Sequence, residues 1–166
     1  MTRAVKMELP KELSKLELSK TEVRQLMTDV ANKIKTMPNH CMGGAVNGKN
    51  ELCPLKHSYG DGCYIRQITM PKGVLLVSKI HKTKHPYFIL KGDVSVLTEQ
   101  GVVRLTAPYS GITEAGTQRV LYMHEETVWT TVHSTNKTDP VEIEKDIIAK
   151  SFDELDNIHH AIGDVK

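Results

Sequence analysis

Between residues 63 and 133 the chain is a succession of short β-branched and aromatic runs with no helical period between them, and this constrains the fold more than any other feature. The runs cover 63–70, 74–81, 87–90, 93–98, 102–107, 119–123 and 127–133. Pro71-Lys72-Gly73, Lys91-Gly92-Asp93, Glu99-Gln100-Gly101 and Glu114-Ala115-Gly116 lie between runs, the composition that tight connections between antiparallel strands require. Short strands at this spacing predict an all-β core, a sandwich or barrel. A chain of 166 residues is long enough for one such domain, with roughly 70% of the unfolded surface buried.

The flanks differ in texture. Ser19 followed three residues later by Glu22 is a capping box that satisfies two backbone donors at a helix start. Val23, Leu26, Met27, Val30, Ile34 and Met37 then recur at helical spacing, and Pro38 stops the helix near Thr36. Residues 38–62 are rich in Gly, Pro and Asn without a sustained period and predict a long irregular loop. A second capping box, Ser151 with Glu154, precedes Phe152, Leu155, Ile158 and Ile162 and predicts a short terminal helix. The division expected is 1–62 as helix and loop packing on the barrel, 63–135 as the barrel, and 136–166 as a tail with that helix. Asp139, Glu142, Glu144 and Asp146 read as a solvated face.

Charge excludes some partners. The 22 Lys and Arg against 20 Asp and Glu leave +2, and no stretch concentrates enough basic residues to follow a phosphate backbone, so nucleic acid is not expected. The longest purely apolar run is four residues, 74–77, against the ~20 of a membrane-spanning helix. Three cysteines cannot close a disulfide framework, which predicts a reducing compartment.

The stretch 73–92 carries the most chemistry. A strand ending at His81 turns and re-enters a strand after His85, so both imidazoles can face one point in a barrel mouth. Gly73, five residues, Lys79, Ile80, His81, three residues, His85, six residues, Gly92 has the spacing of the first motif of the cupin superfamily. The types depart twice: Lys79 stands where that family usually has its first His ligand, and His85 where it has Glu. The second cupin motif is met by Gly116 alone, with Glu114, Arg119 and Met123 at the places of its Pro, His and Asn. The resemblance covers about residues 63 to 135 and implies a cupin-like antiparallel β-barrel of jelly-roll type. The runs at 53–57, 81–85 and 127–133 also resemble small cupin-like proteins encoded by tailed bacteriophages.

Two site chemistries follow. In one, neutral His81 and His85 bind a divalent transition metal (zinc, nickel or iron) with His133 as third ligand. On strand parity His133 points inward only if Trp129 does. In the other, Lys79 and Arg119 line the cavity and bind an anion, two fixed charges that would repel a dication. A second cluster, His40, Cys41, Cys53, His57 and Cys63, raises a structural metal on Cys53 and His57, although the spacing is no zinc-finger pattern and buried thiols are the plainer account. His159 and His160 are adjacent on the expected terminal helix and point in different directions.

The function expected is a small-ligand or metal-binding cupin-like protein of phage type, acting in the cytoplasm of an infected bacterial cell or associated with the virion. The alternatives are a metal-dependent cupin enzyme acting on a small molecule and a non-catalytic virion or assembly component. Two amphipathic helices outside a barrel with its own core predict a homo-oligomer, a dimer or trimer.

Overall fold

The computed structural model describes residues 19–36, 40–42 and 52–156. Helix α1, Lys20–Ile34, starts on the expected capping box: Ser19 N donates to Glu22 Oε2 at 2.7 Å and Glu22 N to Ser19 Oγ at 3.3 Å. Twelve strands follow with a second helix among them: β1 His40–Met42, β2 Leu55–Gly60, β3 Cys63–Met70, β4 Leu75–Val77, β5 Ile80–His81, β6 His85–Lys91, β7 Asp93–Thr98, β8 Gly101–Thr106, β9 Tyr109–Thr113, β10 Val120–Met123, β11 Thr127–Ser134, α2 Pro140–Ile147 and β12 Ile148–Ala149.

The strands form two five-stranded sheets, ordered β1-β4-β10-β7-β8 and β2-β3-β11-β6-β9, with β12 and β5 as a separate pair. Every pairing is antiparallel except β1 with β4. Alternation along the strands turns one face of each sheet inward, so Ile68, Met70, Ile89 and Trp129 from one meet Leu76, Val94, Val96 and Leu121 from the other. This is the expected antiparallel jelly-roll barrel, and its core is closed by apolar burial between the two sheets.

The strand map differs from the sequence reading in four places. The 74–81 run is broken into β4 and β5. The 38–62 stretch supplies β1 and β2, and β2 pairs residue by residue with β3 from Leu55↔Ile68 to Gly60↔Cys63. β9 is additional: a Cβ on Gly111 would lie 2.6 Å from the Tyr87 hydroxyl, so glycine is needed there for β6 and β9 to pair. Helix α2 forms where a solvated acidic face was expected. Asp139 accepts from Val141 N at 2.8 Å as N-cap, Pro140 opens the first turn, and Ile143 and Ile147 are buried against Tyr64.

Most of the described α1 stripe packs on its own chain. Met27, Ala31 and Ile34 are buried against Val77 and Val120, with Leu75 and Leu97 beside them. The helix therefore covers the outer face of β4, β7 and β10, while Leu26 of the same stripe stays exposed. After β12 the chain is helical again at 152–156, where Ser151 Oγ accepts from Glu154 N at 3.3 Å while the Glu154 carboxylate accepts from Lys150 N at 2.7 Å. Met37, Pro38, Ile158, His159, His160 and Ile162 lie outside the described residues.

Candidate metal centre and adjoining cavity

Three elements bring histidines to one end of the barrel. His81 closes the two-residue strand β5, which is held by β12 through Ile148↔His81 and by Gly116 N donating to His81 O at 2.8 Å. His85 opens β6, opposite Thr113 of β9. His133 stands near the end of β11, opposite Tyr64 of β3. Trp129, Thr131 and His133 alternate along one face of β11 and all three are buried, so His133 does point inward together with Trp129.

The ring centroids are 4.4 Å apart for His81 and His85, 4.2 Å for His85 and His133, and 5.9 Å for His81 and His133. One ring nitrogen of each lies within 4.8 Å of the other two, and this is the one grouping of three or more such ligand groups among the described residues. His81 Nδ1, His85 Nε2 and His133 Nδ1 are buried and have no hydrogen-bond partner. Orphaned buried polar atoms are costly, and three at one point call for a shared partner.

Neighbouring groups assign the protons. His85 Nδ1 lies 2.9 Å from Thr83 O, an oxygen that can only accept, so Nδ1 carries the hydrogen and Nε2 keeps a lone pair. Thr131 Oγ1 donates its one proton to Arg66 O at 3.4 Å, so at 3.1 Å from His133 Nε2 it accepts, leaving the lone pair on His133 Nδ1. In both rings the free lone pair is therefore on the orphaned nitrogen. Charge agrees: burial pushes His81 well below the usual imidazole range, lowers His85, and takes His133 to about 3, with neighbouring imidazoles and Arg66 adding to the shift at His81 and His133. Neutral imidazoles with unpartnered nitrogens in one cluster fit a divalent transition ion.

A cavity of about 60 Å³ adjoins His81. Its floor is apolar, from Ile68, Met70, Leu76, Leu121 and Trp129, and its polar wall is Tyr64, Arg66, Lys79, His81, Arg119 and Thr131. Helix α2 covers it through Pro140, Glu144 and Ile147. Of the two cations expected there, Lys79 is spoken for, because its Nζ forms an ion pair with Glu144 of α2. Arg119 is buried; its Nη2 donates to Thr113 Oγ1 at 3.0 Å, and its Cζ lies 5.1 Å and 5.7 Å from the ring centres of Tyr87 and Trp129, themselves stacked at 4.6 Å.

Sequence reasoning missed Arg66, Tyr64 and Glu144. Parity along β3 held the signal for the first two: Ile68 and Met70 are core, so Arg66 and Tyr64, two and four residues before Ile68, share their face. The residues considered for a structural metal have other surroundings. Cys53 is buried in the barrel core, where the Cys41 thiol beside it and burial push its own thiol upward, and His57 Nδ1 is 2.6 Å from the Tyr64 hydroxyl. Cys63 is half-buried, and nothing in the described part includes the His40 side chain.

No family model matches the chain, and no curated protein matches it in sequence. Among solved structures it is similar to an acetylacetone dioxygenase from Acinetobacter johnsonii (24% identity over 49% of this chain, TM-score 0.40), of which it spans 58%. It is also similar to the cupin domain of Schizosaccharomyces pombe Cnp3 (15% identity, 63% of this chain and 78% of that one, TM-score 0.44) and to ectoine synthase from P. lautus (9% identity, 59% and 74%, TM-score 0.49). The strand order of the two sheets carries the fold: this chain is an antiparallel barrel of jelly-roll type, with a three-histidine cluster that could bind a metal ion.

Proposed function

We propose that the chain is a cupin-like metal-binding protein in which His81, His85 and His133 hold one divalent transition ion, zinc, nickel or iron, beside a cavity that admits a small ligand. The observation that carries this reading is the convergence of three buried ring nitrogens without partners, two of them with the lone pair assigned by a neighbouring oxygen. A bound ion would supply a Lewis-acid centre with open positions for water or ligand. The chain's own residues orient the ligating rings through Thr83 and Thr131 and exclude bulk water by burial beneath α2.

Binding without assured catalysis is the primary reading. Metal-dependent chemistry on a small molecule is the second, favoured by Glu144, the one carboxylate among the cavity-lining residues, although its pairing with Lys79 holds it from acting as a base until that pair opens. The runs at 53–57, 81–85 and 127–133 support a phage-type protein working in the cytoplasm of the infected bacterial cell. The test is elemental analysis of the purified full-length chain together with its His81→Ala and His133→Ala forms. One equivalent of ion in the parent, lost in both variants, supports the centre, and a metal-free parent that takes up no added zinc, nickel or iron contradicts it.

A further inference from the structure

Among the described residues, Arg119 is a buried cation, 8% exposed, with no carboxylate within ion-pair reach. Its guanidinium makes one hydrogen bond to a protein oxygen among those residues, Thr113 Oγ1, and its other nitrogens are not fully enclosed, so they stay open to the cavity that Arg119 lines. Two aromatic faces below it repay part of its desolvation but supply no acceptor for the remaining N–H groups. The same residue lines the cavity beside His81. A guanidinium presents a planar fork that matches a carboxylate, and removing such a charge from water without a partner is costly.

From this geometry we infer that the cavity takes a small aliphatic monocarboxylate, its carboxylate paired with Arg119 and its apolar body against Ile68, Met70 and Leu121. Size sets the limit on the body. A volume of about 60 Å³ corresponds to roughly four to six water-sized groups, at 10 to 15 Å³ each, which is the scale of a two- to four-carbon monocarboxylate such as propionate. Arg66 also stands in the polar wall, but the floor is apolar over five side chains, so a polyanion such as phosphate would set oxygens against hydrocarbon and is disfavoured. The Lys79–Glu144 pair does not compete for the ligand, because that lysine is already neutralised.

The inference extends the proposed function and is tested separately from it, by calorimetric titration of the full chain before and after removal of metal by a chelator. Propionate is the probe, with propionamide as its uncharged isostere and inorganic phosphate as the alternative anion. Saturable propionate binding in the chelated protein, at least tenfold weaker with propionamide and phosphate, is the result expected. Arg119→Met should weaken propionate at least tenfold, and Arg119→Lys, which keeps the charge but loses the fork, should fall between. The comparison of propionate with propionamide on the unaltered protein decides the matter even if Arg119→Met does not fold. Equal binding of acid and amide, preference for phosphate, or undiminished propionate binding by a folded Arg119→Met would overturn the inference. None of these outcomes depends on whether metal binds at the histidines.

Discussion

His85 and His133 enter the barrel from adjacent strands, β6 and β11, and face each other with ring centroids 4.2 Å apart and an unpartnered nitrogen on each. Both rings are neutral and both have their second nitrogen engaged by an oxygen. This arrangement spends two buried polar side chains where apolar ones would pack at lower cost, and a shared ion is what makes it favourable.

The orienting oxygens should matter nearly as much as the ligands. Thr131→Val removes the acceptor for His133 Nε2–H while keeping the side chain's shape, and should weaken metal binding about 10- to 100-fold without unfolding the barrel. Competition with a metal-indicator dye measures this. Unchanged affinity in a folded variant would show that Thr131 does not set the His133 tautomer.

Acid should destabilise the metal-free protein in a defined window. His133 has its ordinary value of 6.5 in the unfolded chain and about 3 in the fold, so between these the unfolded state binds the extra proton. Stability attributable to this group is therefore full above about pH 6.5 and falls as pH drops toward 3, by up to about 1.4 kcal/mol per pH unit. His81 and His85 are shifted in the same direction and add to the slope. Thermal unfolding of chelated protein between pH 6.5 and 5, above the range of most carboxylates, reads it out, and His133→Gln should flatten the curve. A flat profile in the parent would mean that the imidazoles are not buried neutral.

Helix α1 should act as part of the barrel. Met27 is fully buried, and Met27→Ala should cost about 2 to 5 kcal/mol in denaturant unfolding. Because the stripe packs on β4, β7 and β10, the molar mass in light scattering should be the same for parent and variant. A change of mass with little loss of stability would move the helix to a subunit interface.

Much of this architecture was legible in local patterns. β3 and β7 have the ends that their runs predicted, because alternation and flanking turns are short-range signals. Parity along β11 tied His133 to Trp129, and a three-residue turn tied His81 to His85. What escaped depends on partners distant in sequence. Gly111 looks like a turn residue until Tyr87 is known to lie over it, β2 has turn-rich composition and is a strand because β3 pairs with it, and Arg66 looks like a surface residue until the β3 face is assigned. Helix α2 carried a local sign in Asp139-Pro140, but its two core residues, Ile143 and Ile147, gave too short an apolar stripe to outweigh the acids around them. Glu144 could not be placed against Lys79 before α2 was placed over the cavity.

The central claim is that one ion is held by His81, His85 and His133, and cobalt titration with visible absorption tests it most directly. The metal-free full-length chain should bind one equivalent of cobalt, developing ligand-field bands whose saturation is lost in His85→Ala. No cobalt spectrum in the parent, or an identical spectrum in a folded His85→Ala, would contradict the account.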